Sequence, residues 1–248
     1  MKTMIVSGGA SGIGFACAKK FLANGYFVYN LDLIDNPNSQ IFGKTYQWIK
    51  VDVCQKEAIR DAVTNIIHDR KQIDALIVSA GKHLSENIEN TSDQNVHELI
   101  QLNVMGAFWL IQAVIPFMKI NLSGNIVTIG SDQCIIAKRN SCVYGMTKAA
   151  LASLTKSIAL DYATYNIRAN CIGAGTINTP LYQNAIQNYA KKSGISLAEI
   201  EKMEALEQPI GRIGNPEEVA ELVYFLSQNH AAYITGTVIS MDGGYTTK

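Results

Sequence analysis

No sign of charge dominates this chain. Its 21 Lys and Arg stand against 21 Asp and Glu, and the basic side chains are scattered rather than clustered. A nucleic acid or an anionic membrane surface is recognised through a basic patch, so neither is an expected partner. No uninterrupted apolar run reaches the length that a membrane-spanning helix needs. Strand-like Met4-Ile5-Val6-Ser7 begins too early to leave room for a charged segment and an apolar core ahead of it, so no signal peptide is expected. Cysteines are few and odd in number: Cys17, Cys54, Cys134, Cys142 and Cys171, with no C-x-x-C pair. That pattern predicts reduced, mostly buried thiols and a cytoplasmic location rather than a disulfide framework. His68, His83, His97 and His230 are dispersed without metal-ligand spacing, which predicts surface or helix-end histidines and no metal site. A Pro/Gly/Ser-rich linker is also missing, so residues 1–248 are expected to form one domain.

What the chain does have is a 48% hydrophobic composition, arranged as short apolar runs alternating with segments of helical periodicity. Strands are predicted at Met4–Ser7, Phe27–Leu31, Trp48–Val51, Ala75–Ser79, Ile126–Ile129, Arg168–Ile172 and Val238–Ser240. Helices are predicted at Ile13–Ala23, Gln55–Asp69, Val96–Met118, Val143–Tyr165 and Pro216–Ser227. Unbroken apolar strands are buried on both faces, which implies an α/β, doubly wound Rossmann fold: a parallel sheet flanked by helices on both faces. Between Asp32 and Tyr46, the turn formers Asp35, Asn36, Pro37, Asn38 and Ser39 leave room for a loop or one short turn only.

The first strand runs into Ser7-Gly8-Gly9-Ala10-Ser11-Gly12-Ile13-Gly14. Glycines after a strand permit a tight turn and let the backbone approach a pyrophosphate, whose charge then rests on the free N–H groups of the following helix. Asp32 closes the second strand, twenty residues beyond Gly12. An acidic side chain there accepts hydrogen bonds from the adenosine ribose and repels a 2′-phosphate, favouring NAD over NADP. Neither Ser11 nor Leu33 offers a cation to the extra phosphate.

Farther on, Gly124-Asn125-Ile126-Val127-Thr128-Ile129-Gly130-Ser131 reads as a buried strand ending in a hydroxyl, thirteen residues before Tyr144. Tyr144 and Lys148 are four apart, on one face of a helix. A phenol is a poor base at neutral pH unless a cation favours its ionised form, and Lys148 is placed to be that cation.

Together these segments resemble a classical short-chain dehydrogenase/reductase over essentially the whole chain. The family's Gly-x-x-x-Gly-x-Gly loop corresponds to Gly8, Gly12 and Gly14, with Ser11 and Ile13 between them. Its adenine-contacting aspartate corresponds to Asp52, followed by Val53, and its helix asparagine to Asn103. The catalytic serine, tyrosine and lysine fall on Ser131, Tyr144 and Lys148. Gly211-Arg212-Ile213-Gly214-Asn215-Pro216-Glu217-Glu218 and the closing Asp242-Gly243-Gly244 are similar as well. There are two departures. Val78-Ser79-Ala80-Gly81 replaces Asn-Asn-Ala-Gly, keeping the Ala80 and Gly81 backbone contacts but losing two amide side chains. Ala174-Gly175 replaces Pro-Gly, which predicts a looser loop, while Ile177 and Thr179 still match the carboxamide-binding positions.

The resemblance implies reversible hydride transfer between a secondary alcohol and NAD. Tyr144 is then the acid-base, Lys148 lowers its pKa and binds the nicotinamide ribose, Ser131 holds the substrate oxygen, and Asn103 positions a water of a proton relay. A lid at about residues 180–210 sets specificity. Polar residues near Ser131, among them Asp132, Gln133 and Lys138, point to a sugar, polyol or hydroxy acid. A 3-oxoacyl thioester reductase and a non-catalytic NAD-binding sensor or scaffold stay open as alternatives. Apolar residues around two long helices, including Phe108, Trp109, Leu151, Leu154 and Ile158, together with the resemblance, imply a homotetramer or homodimer.

Overall fold

The computed structural model describes residues 1–247, the side chain of Ile41 excepted. Its strands are β1 (Thr3–Ser7), β2 (Phe27–Asp32), β3 (Tyr46–Lys50), β4 (Ala75–Val78), β5 (Gly124–Ile129), β6 (Ile167–Ala174) and β7 (Val238–Met241). They form one seven-stranded sheet in the order β3-β2-β1-β4-β5-β6-β7, every neighbouring pair parallel.

Successive residues of a strand point to opposite faces, and here both faces are apolar. Ile5, Leu76 and Ile126 pack against α2 (Lys56–Arg70), α4 (Ala107–Ile120) and α5 (Cys142–Tyr162). Met4, Val6, Ile77 and Val127 pack against α1 (Gly12–Ala23) and α8 (Pro216–Leu226). This is the doubly wound Rossmann arrangement expected from the unbroken apolar runs. From β1 the chain winds outward to β3, then returns to lay β4 on the other side of β1. Ligands of such sheets bind at the carboxyl ends of the strands where the winding reverses.

The link between β2 and β3 contains only a short 3₁₀ segment, Ser39–Thr45, as its turn formers predict. The helix expected over Val96–Met118 is longer and broken in pitch. It comprises α3 (Asp93–Ile100), a π-helical turn (Gln101–Gly106) and α4, one continuous stretch over residues 93–120. By length and composition that stretch is apolar enough to cross a membrane, although its apolar residues do not form one uninterrupted run. Leu110, Ile111, Val114 and Met118 are instead buried in the core.

Residues 180–207 fold as two helices, α6 (Pro180–Ser193) and α7 (Leu197–Glu207), which run across the segment expected to be a lid. Each starts on a hydroxyl. Thr179 Oγ1 accepts the Tyr182 N–H, and Ser196 with Glu199 forms a capping box. Gly194, at φ 75°, ends the first of them. Such local caps let these helices form although Ile186 and Ile200 are their only buried side chains among the described residues. The thiols depart from expectation: all five are free, but only Cys17 and Cys171 are buried, with Cys54 and Cys134 half-buried and Cys142 exposed.

Candidate active site

At the winding reversal, the turn from β1 to α1 is pressed tightly between its neighbours. Gly8 has φ 71°, and its N–H donates to Leu31 O at 3.0 Å. A Cβ on Gly8 would sit 2.8 Å from the Ala80 backbone, and one on Gly14 only 2.2 Å from Gly8 O. Ser11 caps α1 in an extended conformation without a side-chain capping bond. The N–H groups of Gly12, Ile13 and Gly14 therefore lack intrahelical partners and form the positive end of the helix dipole. A close backbone approach beside free N–H groups fits a pyrophosphate, so these residues suit a dinucleotide cofactor.

Asn30, which sequence reasoning missed, joins Asp32 and Asn36 in holding this turn in place. Asn30, fully buried in β2, accepts the Gly9 N–H on Oδ1 at 2.9 Å and donates to Tyr46 Oη at 3.0 Å. Asp32 Oδ2 accepts the Ala10 N–H at 3.0 Å, and Asn36 Nδ2 donates to Ala10 O at 2.6 Å. A polar residue inside the apolar run Phe27–Leu31 was the available signal for Asn30.

The other expected cofactor residues gather on the same edge of the sheet. Asp52 and Val53 follow β3, and Asp52 Oδ1 caps the Cys54 N–H at 2.9 Å. Ala80 and Gly81 follow β4. Where the family's amide side chains are missing, the Ser7 hydroxyl accepts the Ser79 N–H at 3.3 Å and the Ala80 N–H at 3.4 Å. The loop carrying Ile177 and Thr179 is not loose. Gly175 donates to Met241 O, Gly214 to Thr176 O and Asn178 to Gly214 O, all within 3.0 Å, and Ile177 is buried. Thr179 packs against the start of α1 beside Gly12.

Ser131 ends the β5 edge, while Tyr144 and Lys148 lie one turn apart on α5. The Lys148 ammonium is buried, donates to Ile129 O at 2.8 Å, and sits 5.6 Å from the Tyr144 ring centroid. Burial pushes the Tyr144 phenol above its ordinary value. Asp132 and Cys134 add to that shift, while a hydrogen bond with Ser131 opposes it. The expected lowering by Lys148 does not emerge here, because desolvation of the phenolate dominates and the ammonium is engaged by a backbone carbonyl. Burial in turn pushes the Lys148 ammonium down, against the pull of Cys134 and Cys171. Cys134 itself is drawn down to about 7 by its hydrogen bond with Cys171, with burial opposing.

Asn103 lies in the π turn, a widened geometry common at functional positions. It clamps the segment after β4 to α5: Lys82 N–H donates to its Oδ1 at 2.9 Å, and its Nδ2 donates to Lys82 O and to Thr147 Oγ1. His83 is not the surface or helix-end histidine expected. Its ring meets the Tyr144 ring edge-on at 4.7 Å, and burial, with Lys138 and Lys148 adding, holds its pKa below the usual range. The imidazole is thus neutral at pH 7. Beside Ser131, whose Oγ donates to Asp132 Oδ1 at 2.7 Å, the buried Asp132 carboxylate pairs with Lys138 at 2.6 Å. A cavity of about 250 Å³ lined by Thr176, Gln208, Arg212 and Asp242 lies nearby, but Ser131, Tyr144 and Lys148 do not line it.

Residues 8–246 match the family model described as enoyl-(acyl carrier protein) reductase. An NAD-dependent glycerol dehydrogenase of Listeria innocua is 35% identical, the match covering 100% of this chain and 94% of that protein. A solved short chain dehydrogenase family protein from Francisella tularensis superposes with TM-score 0.91 at 36% identity, covering 100% of both chains. The ligand-free aldohexose dehydrogenase of Thermoplasma acidophilum gives TM-score 0.92 at 33% identity, covering 100% of this chain and 94% of that one.

Gly8→Ala tests the cradle. The added Cβ meets Ala80 backbone and the left-handed φ is strained for alanine. Dinucleotide affinity, read by fluorescence titration with NADH, is expected to fall at least about tenfold, in line with the ~1–3 kcal/mol such strain carries. Unchanged affinity would place the pyrophosphate elsewhere.

Proposed function

This chain belongs to the short-chain dehydrogenase/reductase family, and we propose that it is an NAD(H)-dependent oxidoreductase that interconverts a secondary alcohol and its ketone on a small polar substrate. The observation that carries this reading is the convergence of Ser131, Tyr144 and buried Lys148 at the carboxyl edge of the sheet, beside a glycine turn fitted to a pyrophosphate. When bound, a nicotinamide dinucleotide supplies the centre that accepts or gives up the hydride. Gly8, Ser11, Gly12, Ile13 and Gly14 would hold its phosphates and Asp32 its adenosine ribose. Asp52 and Val53 would flank the adenine, with Ala80 and Gly81 beneath the dinucleotide and Ile177 and Thr179 at its carboxamide.

Tyr144 exchanges a proton with the substrate oxygen, and Ser131 keeps that oxygen within reach of the phenol. Lys148 supplies positive charge on the far side of the ring and a donor for the nicotinamide ribose. Asn103, which clamps the Lys82 backbone to α5, would position the water that links Lys148 to solvent in a proton relay. The half-covered α6 and α7 form the lid over this site. NAD rather than NADP is supported by Asp32 facing the cradle and by uncharged Leu33 and Ile34 next to it. It is supported further by the cofactor named for the Listeria relative.

The reading extends to a cytoplasmic protein, supported by five free thiols, and to a homotetramer or homodimer. For self-association, Leu151 and Ile158 contribute nothing, since both are buried within this chain's own core. The support comes from their exposed neighbours on α4 and α5: Phe108, Met146 and Leu160, the last 81% exposed. A mass of one chain in light scattering at micromolar concentration would refute an oligomer.

Tyr144→Phe is expected to keep NADH affinity while kcat falls about 10²–10⁴-fold; near-normal turnover removes Tyr144 from the mechanism. The raised phenol pKa sets the sign of the pH response. Oxidation needs the deprotonated phenol, so its rate rises toward alkaline pH, whereas reduction needs the protonated phenol and is sustained until that same range. Asp32→Ala is expected to narrow the preference for NAD over NADP, read as the ratio of kcat/KM values. An unmodified protein that already prefers NADP would overturn the role of Asp32.

A further inference from the structure

Gly130, between β5 and Ser131, has no room for a side chain, because two sulfurs fill the space. A Cβ there would lie 2.6 Å from Cys171 Sγ and 2.7 Å from Cys134 Sγ. Two thiols far apart in the chain thus converge on one point beside the candidate active site. Cys171 comes from β6 and is fully buried, opposite Thr128 in the sheet. Cys134 ends the short 3₁₀ turn Asp132–Cys134 and is half-buried. A small solute therefore reaches the pair through Cys134, and Cys171 meets the outside only through its neighbour.

Cys134 is also a tie within the site. Its Sγ accepts the Ser131 N–H at 3.4 Å and, as a thiol, donates to Lys148 O at 3.2 Å. The backbones of Ser131 and Lys148 thus share one side chain that hydride transfer does not use and that can be oxidised. The hydrogen bond from Cys171 holds Cys134 below the ordinary thiol range, with burial opposing, so part of it is thiolate near neutral pH, the form that peroxides attack. Cys171 is pushed up in turn and stays a thiol. A second sulfur at the side of an oxidised one captures it as a disulfide before further oxidation.

We propose that Cys134 is an oxidative modification site: a peroxide converts it to a sulfenic acid, Cys171 closes on it as a disulfide, and the bond slows turnover by unseating Ser131. In the first step the Cys134 thiolate attacks a peroxide oxygen, the O–O bond breaks, and the departing hydroxide takes up a proton and leaves as water. In the second, the Cys171 sulfur attacks the sulfenic sulfur, the S–O bond breaks, and the hydroxyl leaves as water with the proton that Cys171 gives up. The peroxide gains two electrons, one from each sulfur, and an external dithiol returns them with two protons. A disulfide draws its sulfurs to about 2 Å. Since β6 is held between β5 and β7, Cys134 is the one that moves. Its Sγ then leaves the Ser131 N–H and Lys148 O. The Ser131 hydroxyl, which caps the same turn by accepting the Gln133 N–H at 3.2 Å, shifts with it. The effect on turnover rests on the role given to Ser131 above, whereas the disulfide itself does not.

The test treats the reduced full chain, carrying Cys142→Ser to remove the exposed thiol, with a few-fold excess of hydrogen peroxide. Peptide mapping without reductant is expected to show Cys134 joined to Cys171. At the same dose kcat is expected to fall at least about tenfold, the scale on which a small displacement of a positioned group is felt, and to recover with dithiothreitol, while fluorescence titration still shows NADH binding. In Cys171→Ala, Cys134 is expected to stop at the sulfenic acid, which dimedone captures. Cys134 and Cys171 recovered as thiols at a peroxide dose that oxidises glutathione, or Cys134 joined to a different cysteine, would overturn the site. A mapped Cys134–Cys171 bond with unchanged turnover would overturn its hold on Ser131. Silence on every alcohol before any peroxide is added would count against the dehydrogenase reading instead, and the mapping would still decide the disulfide.

Discussion

A lysine ammonium taken out of water has to be hydrogen-bonded, and Lys148 meets that demand on the carbonyl of Ile129, the last residue of β5. One contact thereby docks α5 on the end of a central strand. Because Tyr144 precedes Lys148 by one helical turn and Ser131 follows Ile129 by two residues, the same bond sets the distance between phenol and serine hydroxyl. Thr128 and Thr155 repeat the attachment two turns further along α5, through a buried hydroxyl pair at 2.8 Å. Tyr144 and Lys148 thus sit on a helix, and Ser131 is fixed as the cap of the short 3₁₀ turn Asp132–Cys134 that follows β5, a placement suited to proton transfer, which a displacement of an ångström would spoil.

The cradle obeys a parallel logic with the roles reversed. There the backbone is the candidate binding surface, and side chains hold it: Asn30, Asp32 and Asn36 each take a polar group of residues 9–10. Ser7 does the same for the strand end opposite, through the N–H groups of Ser79 and Ala80. That substitution explains how a chain lacking the family's paired asparagines keeps β1 and β4 in register. A hydroxyl on the neighbouring strand supplies the acceptor that an amide would have offered.

Much of the fold was legible because its signals are local. A strand buried on both faces reads as an unbroken apolar run, a helix start as a hydroxyl or a proline, a tight turn as glycine, and all seven strands fell within two residues of their expected ends. The π turn was not legible, since i→i+4 and i→i+5 bonding leave nearly the same periodicity over one turn. Neither was the setting of His83. Nothing near it in the chain announces the Tyr144 ring, sixty-one residues away, and only the packing of the segment after β4 on α5 brings them together. The Lys148 effect on Tyr144 was expected from helical spacing alone, which fixes proximity but not solvation. Burial turned out to be the larger influence on the phenol.

By itself, the order of residues determined which groups exist at the carboxyl ends of the strands: glycines for a close approach, an aspartate after the second strand, a serine after the fifth, a tyrosine and lysine one turn apart. It did so because each depends on spacing within one element. The electrostatic character of the site was decided only in three dimensions. Lys138 is paired with Asp132, Glu204 of α7 accepts the Thr176 hydroxyl, and burial raises the phenol's pKa. Charge pairing and desolvation act over a few ångströms of space whatever the distance along the chain, so the tertiary structure alone could set them.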